Sequence, residues 1–199
     1  MKRFQSKYKL DRRVGKNVLQ RAKSPVIKRT NKPGLKPSNM TPTVSQFGER
    51  LMQRQMCKRI FCFFKESQFA TIVHKAKESK NVIEALVHLL DLRLITVVYR
   101  SLFAATPWAA RQLVSHKKIR LNGKIVNVGN HKINVGDVIE LDESMMENHH
   151  VKAALATRER VAPDFIKVEG NKCTVVGVPS VTATYAKDLN FRIIIEGYR

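Results

Sequence analysis

The chain contains 199 residues, of which 43% are hydrophobic, so it can bury a substantial core in one or two domains. Its 37 Lys and Arg residues outnumber 16 Asp and Glu residues, which gives a formal net charge of +21. A positive field of this size indicates a polyanionic partner, with nucleic acid as the first candidate and an anionic membrane surface as the second. The apolar clusters are short and interrupted by charge, which argues against a membrane protein.

The first third of the chain carries most of the net charge. Residues 1–60 contain 17 Lys and Arg, with Asp11 and Glu49 as the only acids. Within this third, residues 1–42 include four prolines and show little helical periodicity, so they cannot bury enough apolar surface to fold alone. We predict a basic extension that becomes ordered against RNA. A solvated tail and a cleaved transit peptide are the alternatives.

Three helices are predicted between residues 43 and 90. The first follows Thr43 or Ser45 as its cap, and it places an apolar stripe opposite a basic face that contains Arg50, Arg54, Lys58 and Arg59. The second is predicted over residues 67–77, and the third begins near Asn81. Because acids are nearly absent beside the first helix, we interpret its basic face as a surface that meets phosphates.

The stretch TPWAARQLVSHKKIRL, residues 106–121, carries the strongest local signals. Thr106 can cap a helix with its hydroxyl, and Pro107 occupies the one helical position where a missing N–H costs nothing. Alternating apolar and polar residues then follow, and Asn122-Gly123 supplies the positive φ angles of a tight hairpin turn. A capped helix that leads through a basic corner into a β-hairpin predicts an RNA-binding unit.

The flanking segments are less clear. Residues 92–99 contain LITVV, which fits a buried strand as well as a helix, and we favour a helix packed on the next one. A turn at Gly136-Asp137 and a strand over residues 138–141 complete an α-α-β-β-β module. A further helix is predicted over residues 144–160. The last segments, including NFRIIIEGY, have strand patterns and are expected to pack beside the helical subdomain; their inward residues are Val168, Cys173, Val175, Ile193 and Ile195.

Catalytic and metal-binding patterns are weak. The sequence contains no Gly-rich phosphate loop, and the acids between Asp137 and Glu143 have the pattern of solvated strand ends. His149-His150 with Glu147 lacks further metal ligands, and Cys57, Cys62 and Cys173 show no paired zinc spacing. We therefore predict a binding protein and not an enzyme, with free thiols, no metal, no cofactor and no small-molecule substrate.

The segment RLITVVYRSLFAATPWAARQLVSHKKIRLNGKIVNVGNHKINVGDVIEL resembles the S4 RNA-binding domain. That domain alone is compatible with several classes of protein, including RNA-modifying enzymes and tRNA-handling proteins. The flanks KYKLDRR, SQFGERLMQRQ, KESQF, VKAAL and NFRIIIEGYR are similar to the family of small-subunit ribosomal protein four, so the resemblance spans residues 6–199. The early segments are most similar to alphaproteobacterial and mitochondrial members, which implies a mitochondrial location, with the bacterial cytoplasm as the alternative.

The chain departs from the family pattern at four places. Residues 33–37 read PGLKP in place of Pro-Gly-Gln-His-Gly, and Ile95-Thr96 replaces an Asp-Asn pair. Residues 128–131 read VGNH in place of an IPSY-like segment. The N-terminal cysteines that bind zinc in some relatives are missing.

The resemblance implies a primary binder of small-subunit rRNA at a junction in the 5′ domain, which helps to nucleate assembly. It also implies contacts with neighbouring ribosomal proteins, especially protein five, a position near the mRNA entrance, a contribution to decoding fidelity, and no membrane partner. The competing class is an RNA-modifying or tRNA-handling enzyme with the same module.

We expect an α+β fold with three parts. Residues 1–42 form the basic extension; residues 43–90 and 142–199 form a helical subdomain closed by C-terminal strands; residues 91–141 form the inserted S4 module. The residues expected to contact RNA are Lys7, Lys9, Arg12, Arg13 and Arg21 in the extension, Arg50, Arg54 and Lys58 on the first helix, and Arg93, Arg100, Arg111, Gln112, His116, Lys117, Lys118 and Arg120 in the module.

Overall fold

The computed structural model describes residues 8–18, 24, 26, 44–62, 65–156, 161–181 and 188–198. These residues form helices and antiparallel strands, which confirms the predicted α+β class. The chain divides into two compact units: a terminal unit, Met1–Ile60 with Leu189–Arg199, and a central unit, Phe61–Asp188. Lys7, Arg21 and most of the predicted extension lie outside the described residues, and the predicted module boundaries, 91–141, stay a prediction.

The elements of the described residues follow one another along the chain. The helices are α1 (Lys9–Val14), α2 (Gln46–Ile60), α3 (Glu66–Lys77), α4 (Val82–Asp91), α5 (Leu94–Arg100), α6 (Pro107–Ser115), α7 (Glu143–Met146), α8 (His149–Ala156) and α9 (Phe191–Glu196). The strands are β1 (Ile119–Leu121), β2 (Lys124–Ile125), β3 (Val138–Leu141), β4 (Ile166–Glu169) and β5 (Lys172–Val175).

In the terminal unit, α2 packs against α1 and α9. The predicted cap of α2 is confirmed, because the Ser45 hydroxyl accepts a hydrogen bond from the Gly48 N–H at 3.2 Å. Arg59 was expected on the basic face of this helix, and this prediction is wrong. Its side chain is buried, and its Nη1 lies 3.7 Å from the carboxylate of buried Asp11 on α1. A buried guanidinium needs an anionic partner, and α1 supplies one.

The final segment is a helix, whereas a strand was predicted. The Asn190 side chain accepts a hydrogen bond from the Ile193 N–H at 3.3 Å and so caps α9. Phe191 and Ile194 are the buried residues, at helical spacing, while Ile193 and Ile195 are half-buried. The run of three isoleucines suggested a strand because β-branched residues favour strands, but the cap and tertiary packing override that preference.

Four helices open the central unit. α3 packs against α4, and α5 packs against α6. α3 begins at Glu66, one residue before the predicted start, and α4 follows Asn81 as predicted. α5 is a helix and not a strand, and all seven of its residues are buried. This complete burial explains why LITVV showed no helical periodicity in the sequence.

The strands form one antiparallel sheet in the order β2-β1-β3-β5-β4. β4 and β5 were expected to pack beside the helical subdomain. They instead extend this sheet, because β5 pairs with the edge of β3 that β1 leaves open, with Ile139 opposite Cys173. The predicted inward positions Cys173 and Val175 are buried, and Val168 is half-buried. The core of the central unit lies between this sheet and the helices α5, α6 and α8.

Residues 144–160 were predicted as one helix, and the structure has two within the described part. The break falls at Asn148, whose side chain accepts a hydrogen bond from the His150 N–H at 2.9 Å. An asparagine that pairs locally with the backbone favours a new helix start over a continuous helix. Val151 and Ala154 are the buried residues of α8.

Cys57, Cys62 and Cys173 are buried thiols. Burial raises the pKa of the Cys173 thiol to about 12, while a hydrogen bond with Ser101 acts in the opposite direction. Across the described ranges, no helix is both long and apolar enough to cross a bilayer.

Candidate RNA-binding surface

The orientation of α6 is set by its cap and by its apolar stripe. The Thr106 hydroxyl accepts a hydrogen bond from the Ala109 N–H at 3.2 Å, and Pro107 occupies the first helical position, as predicted. Ala110, Leu113 and Val114 are buried on one side of the helix. The opposite side presents Arg111 and Gln112 to solvent, with no partner for the Arg111 side chain among the described residues.

α6 ends in a tight left-handed turn. The Lys117 N–H donates to the carbonyl of Val114, and the Lys118 N–H donates to the carbonyl of Leu113, both at 3.0 Å. Lys117 has φ of 60°, a region that is unfavourable by about 1 kcal/mol or more for a residue with a Cβ. The turn places exposed His116 and Lys117 directly before β1, as a basic corner.

Lys118 faces an acid on the same corner. Its ammonium lies 3.2 Å from the carboxylate of Asp142 and 3.3 Å from the hydroxyl of Ser144. This hydrogen bond from Lys118, with one from the Ser144 backbone, lowers the pKa of Asp142. Asp142 also caps α7, so the pair joins the corner to the chain after β3. Lys118 therefore anchors the corner, and both side chains remain about one third exposed.

The hairpin extends the basic surface beyond the corner. Asn122 and Gly123 have φ of 48° and 79°, which confirms the predicted turn. On β1, Arg120 is exposed between buried Ile119 and Leu121. Exposed Lys124 on β2 adds a cation that was not among the predicted contacts. The alternation of apolar and polar residues through the Asn-Gly turn could have identified Lys124 as an exposed cation.

Arg93 and Arg100 were expected to contact RNA, and the structure places both inside the central unit. Arg93 donates to the carbonyl of Phe61 at 3.0 Å and to the Asn130 side chain at 2.6 Å. Burial lowers the pKa of Arg93 to about 10, partly offset by Cys62, so the group is charged at neutral pH. Arg100 lies 3.5 Å from buried Asp91. These guanidinium groups are engaged within the protein, so we correct their expected role to a structural one.

The terminal unit carries a separate group of predicted contacts. Lys9, Arg13 and Arg50 are exposed, whereas Arg12 and Lys58 are half-buried. Arg54 donates to the carbonyl of Gly197 at 3.3 Å and stacks over the Tyr198 ring at 4.4 Å. Arg54 therefore ties α2 to the chain after α9, as well as contributing charge.

The exposed side chains of α6, the corner and the hairpin are of the kind that can bind a polyanion. The exposed heads are guanidinium, ammonium, imidazole and amide groups, which donate hydrogen bonds to phosphate and hydroxyl oxygens. No group of three His, Cys, Asp or Glu side chains able to hold a metal ion occurs among the residues that the structure describes.

The capped α6, its basic corner and the β1–β2 hairpin define an RNA-binding module of the S4 type. Residues 92–139 match the family model described as the S4 domain. Over 99% of its length, the chain is 39% identical to the small ribosomal subunit protein uS4 of Rhodopseudomonas palustris and 38% identical to that of Chelativorans sp.. The corresponding protein of Methylorubrum extorquens is also 39% identical, and each alignment covers 98% of the relative. The chain belongs to the family of small ribosomal subunit protein uS4.

Proposed function

We propose that the chain is a structural constituent of the small ribosomal subunit, where it binds rRNA and catalyses no reaction. The observation that carries this proposal is the exposure of Arg111 on α6 and of His116 and Lys117 at its basic corner, beside the β1–β2 hairpin. Family membership supports the same function. The net charge of +21 agrees with a position against a large polyanion.

Binding is through the RNA backbone. A-form RNA presents phosphates and 2′-hydroxyls across a shallow minor groove, so proteins recognise it by shape and by backbone contacts. Arg111 and Arg120 can each clamp a phosphate with two parallel hydrogen bonds, and Lys117 acts as a point charge. Gln112 and His116 add hydrogen-bonding groups for the 2′-hydroxyls.

The terminal unit provides a second set of contacts in this proposal. Lys9, Arg13 and Arg50 are exposed, and Arg12, Arg54 and Lys58 are half-buried. Lys7 and Arg21 in the extension, residues 1–42, are proposed to thread into rRNA. The composition of this extension supports the proposal, because a segment so basic and so poor in apolar residues orders most readily against a polyanion.

The proposed position in the subunit follows the resemblance to the ribosomal family. It is a junction of rRNA helices in the 5′ domain, where binding helps to nucleate assembly. The neighbours are other small-subunit proteins, especially protein five, and the mRNA path at its entrance, so the chain contributes to decoding fidelity. The supporting observation is that the resemblance includes both flanks of the module as well as the module itself.

For the cellular location, we propose the mitochondrial matrix, with the bacterial cytoplasm as the alternative. The departures at Ile95-Thr96 and residues 128–131 support an organellar chain, whereas the relatives named above are bacterial.

The proposal is tested by sedimentation of the native protein from a cell or organelle lysate. We expect the chain to sediment with intact small subunits, and to shift to lighter fractions after ribonuclease treatment. Recovery in free or tRNA-bound fractions without ribonuclease would contradict a constituent role. Co-sedimentation with an organelle marker before lysis separates the two locations.

A further inference from the structure

A cleft of about 280 Å³ opens beside the basic corner within the central unit. Its walls come from four separate parts of the chain: the start of α3, the start of α5, the end of α6 and residues 127–130. Lys65 and Arg111 contribute the cations of the rim. The volume is close to the lower limit of small-molecule sites, about 300 Å³, so it suits one nucleotide better than a longer segment.

The inner wall of the cleft is apolar and fixed. Ile95, Val114 and Val128 form it, and Val128 is 57% exposed in spite of its apolar side chain. The Gly129 carbonyl accepts a hydrogen bond from the Ile95 N–H at 3.2 Å, and the Asn130 side chain accepts one from Arg93. These bonds hold residues 129–130 against the start of α5, so the wall exists without a ligand.

The polar lining consists mainly of side-chain amides. Gln68, Asn127 and Asn130 line the cleft, and each amide carries both donors and an acceptor. No group among the described residues pairs with the side chain of Asn127. Amide groups match the Watson–Crick edges of bases, whereas phosphate alone would need only the cations at the rim.

We propose that this cleft binds one unpaired nucleotide of the rRNA, with its base against Ile95 and Val128 and its base edge on Asn127. The phosphate of that nucleotide lies at the rim, on Lys65 and Arg111. Bases in loops and bulges can be turned out of the stack, and proteins read RNA sequence mainly at such positions. This inference rests on the proposed function, because it adds a base contact to a protein that is otherwise proposed to bind the rRNA backbone.

The test is chemical probing of small-subunit rRNA bound to the full chain. Base-specific reagents report access to Watson–Crick edges, and hydroxyl radicals report backbone contacts on the same complex. We expect the wild-type protein to protect one unpaired base within its backbone footprint. Asn127→Ala should raise the reactivity of that base on the order of tenfold, the effect of losing a good base-edge contact. Its backbone footprint should stay unchanged.

Two further variants complete the design. Val128→Trp fills the cleft from an exposed position and should release the same base. Asn134→Ala removes an exposed asparagine outside the cleft and should release none. If Val128→Trp exposes the base but Asn127→Ala does not, the base binds in the cleft of the wild-type protein without a contact to Asn127. The inference would be overturned if both cleft variants kept the backbone footprint and protected the same bases as wild type. The absence of any footprint would instead count against the proposed function.

Discussion

Gly129 lies so close to Ile95 that a Cβ at position 129 would overlap the Ile95 side chain. The Ile95 N–H also donates to the Gly129 carbonyl at 3.2 Å, so the two residues are joined through the backbone as well. Two residues from separate parts of the sequence therefore meet in one packed arrangement.

The first prediction concerns this contact. Gly129→Ala should lower the free energy of unfolding by about 1–3 kcal/mol, because the added methyl group overpacks a fixed wall. Gly177→Ala is the matched control, since a Cβ there would make only an ordinary contact with Phe165 at 3.8 Å. Ile95→Ala combined with Gly129→Ala should cost less than the sum of the two single variants in urea denaturation. Strict additivity would show that the two side chains do not compete for space.

The second prediction separates buried arginines from exposed ones. Arg93→Met should destabilise the protein by about 1–3 kcal/mol, because the Phe61 carbonyl loses a buried donor. Arg111→Met should change the free energy of unfolding by no more than about 0.5 kcal/mol, since the Arg111 side chain is exposed and has no partner in the described part of the chain. Urea unfolding of both variants provides the measurement. Equal stability of the two would refute the structural role assigned to Arg93.

The third prediction concerns pH. The pKa of Asp142 is lowered by its hydrogen bond with Lys118, from an ordinary value of 3.8. The stabilisation from this pair is therefore fully present above that ordinary value and is lost as the pH falls through the lower folded value. Asp142→Asn should be less stable than wild type at pH 6, and the difference should shrink below pH 4. A difference that is the same at both pH values would mean that the pair does not stabilise the corner.

The fourth prediction concerns the thiols. Cys57, Cys62 and Cys173 are buried, and burial raises the pKa of Cys173 to about 12, so little reactive thiolate forms. A thiol reagent at pH 8 should modify the native protein slowly and modify all three cysteines quickly after unfolding in urea. Rapid modification of the native protein would contradict the packing described for these side chains.

Local signals explain which parts of the fold could be predicted. The Thr106 cap and the Asn122-Gly123 turn depend on neighbouring residues, so the sequence alone identified them. The isoleucines of α9 favour a strand by local preference. The helix that they form depends on packing against α2, which local preference cannot reveal.

In the site, too, local features could be predicted from the sequence and tertiary contacts could not. Arg111 and Lys117 were expected as RNA contacts from the capped basic stretch, and both are exposed. The partner of Arg93 is the Phe61 carbonyl, which no charge pattern could indicate. The cleft was missed because Lys65 and Asn127 are brought together only by the tertiary fold.

The central claim is that the basic corner of α6 binds rRNA. It is tested most directly by filter binding of small-subunit rRNA to wild type and to the double variant Arg111→Ala/Lys117→Ala, over a series of salt concentrations. Lys75→Ala/Lys80→Ala is the control, because it removes the same charge from exposed positions at the end of α3 and just after it.

We predict that the corner variant binds on the order of tenfold more weakly, and that its slope of log affinity against log salt falls by about 2, one for each lost phosphate contact. The control should keep an affinity and slope close to wild type. An unchanged affinity and slope in the corner variant would contradict the account.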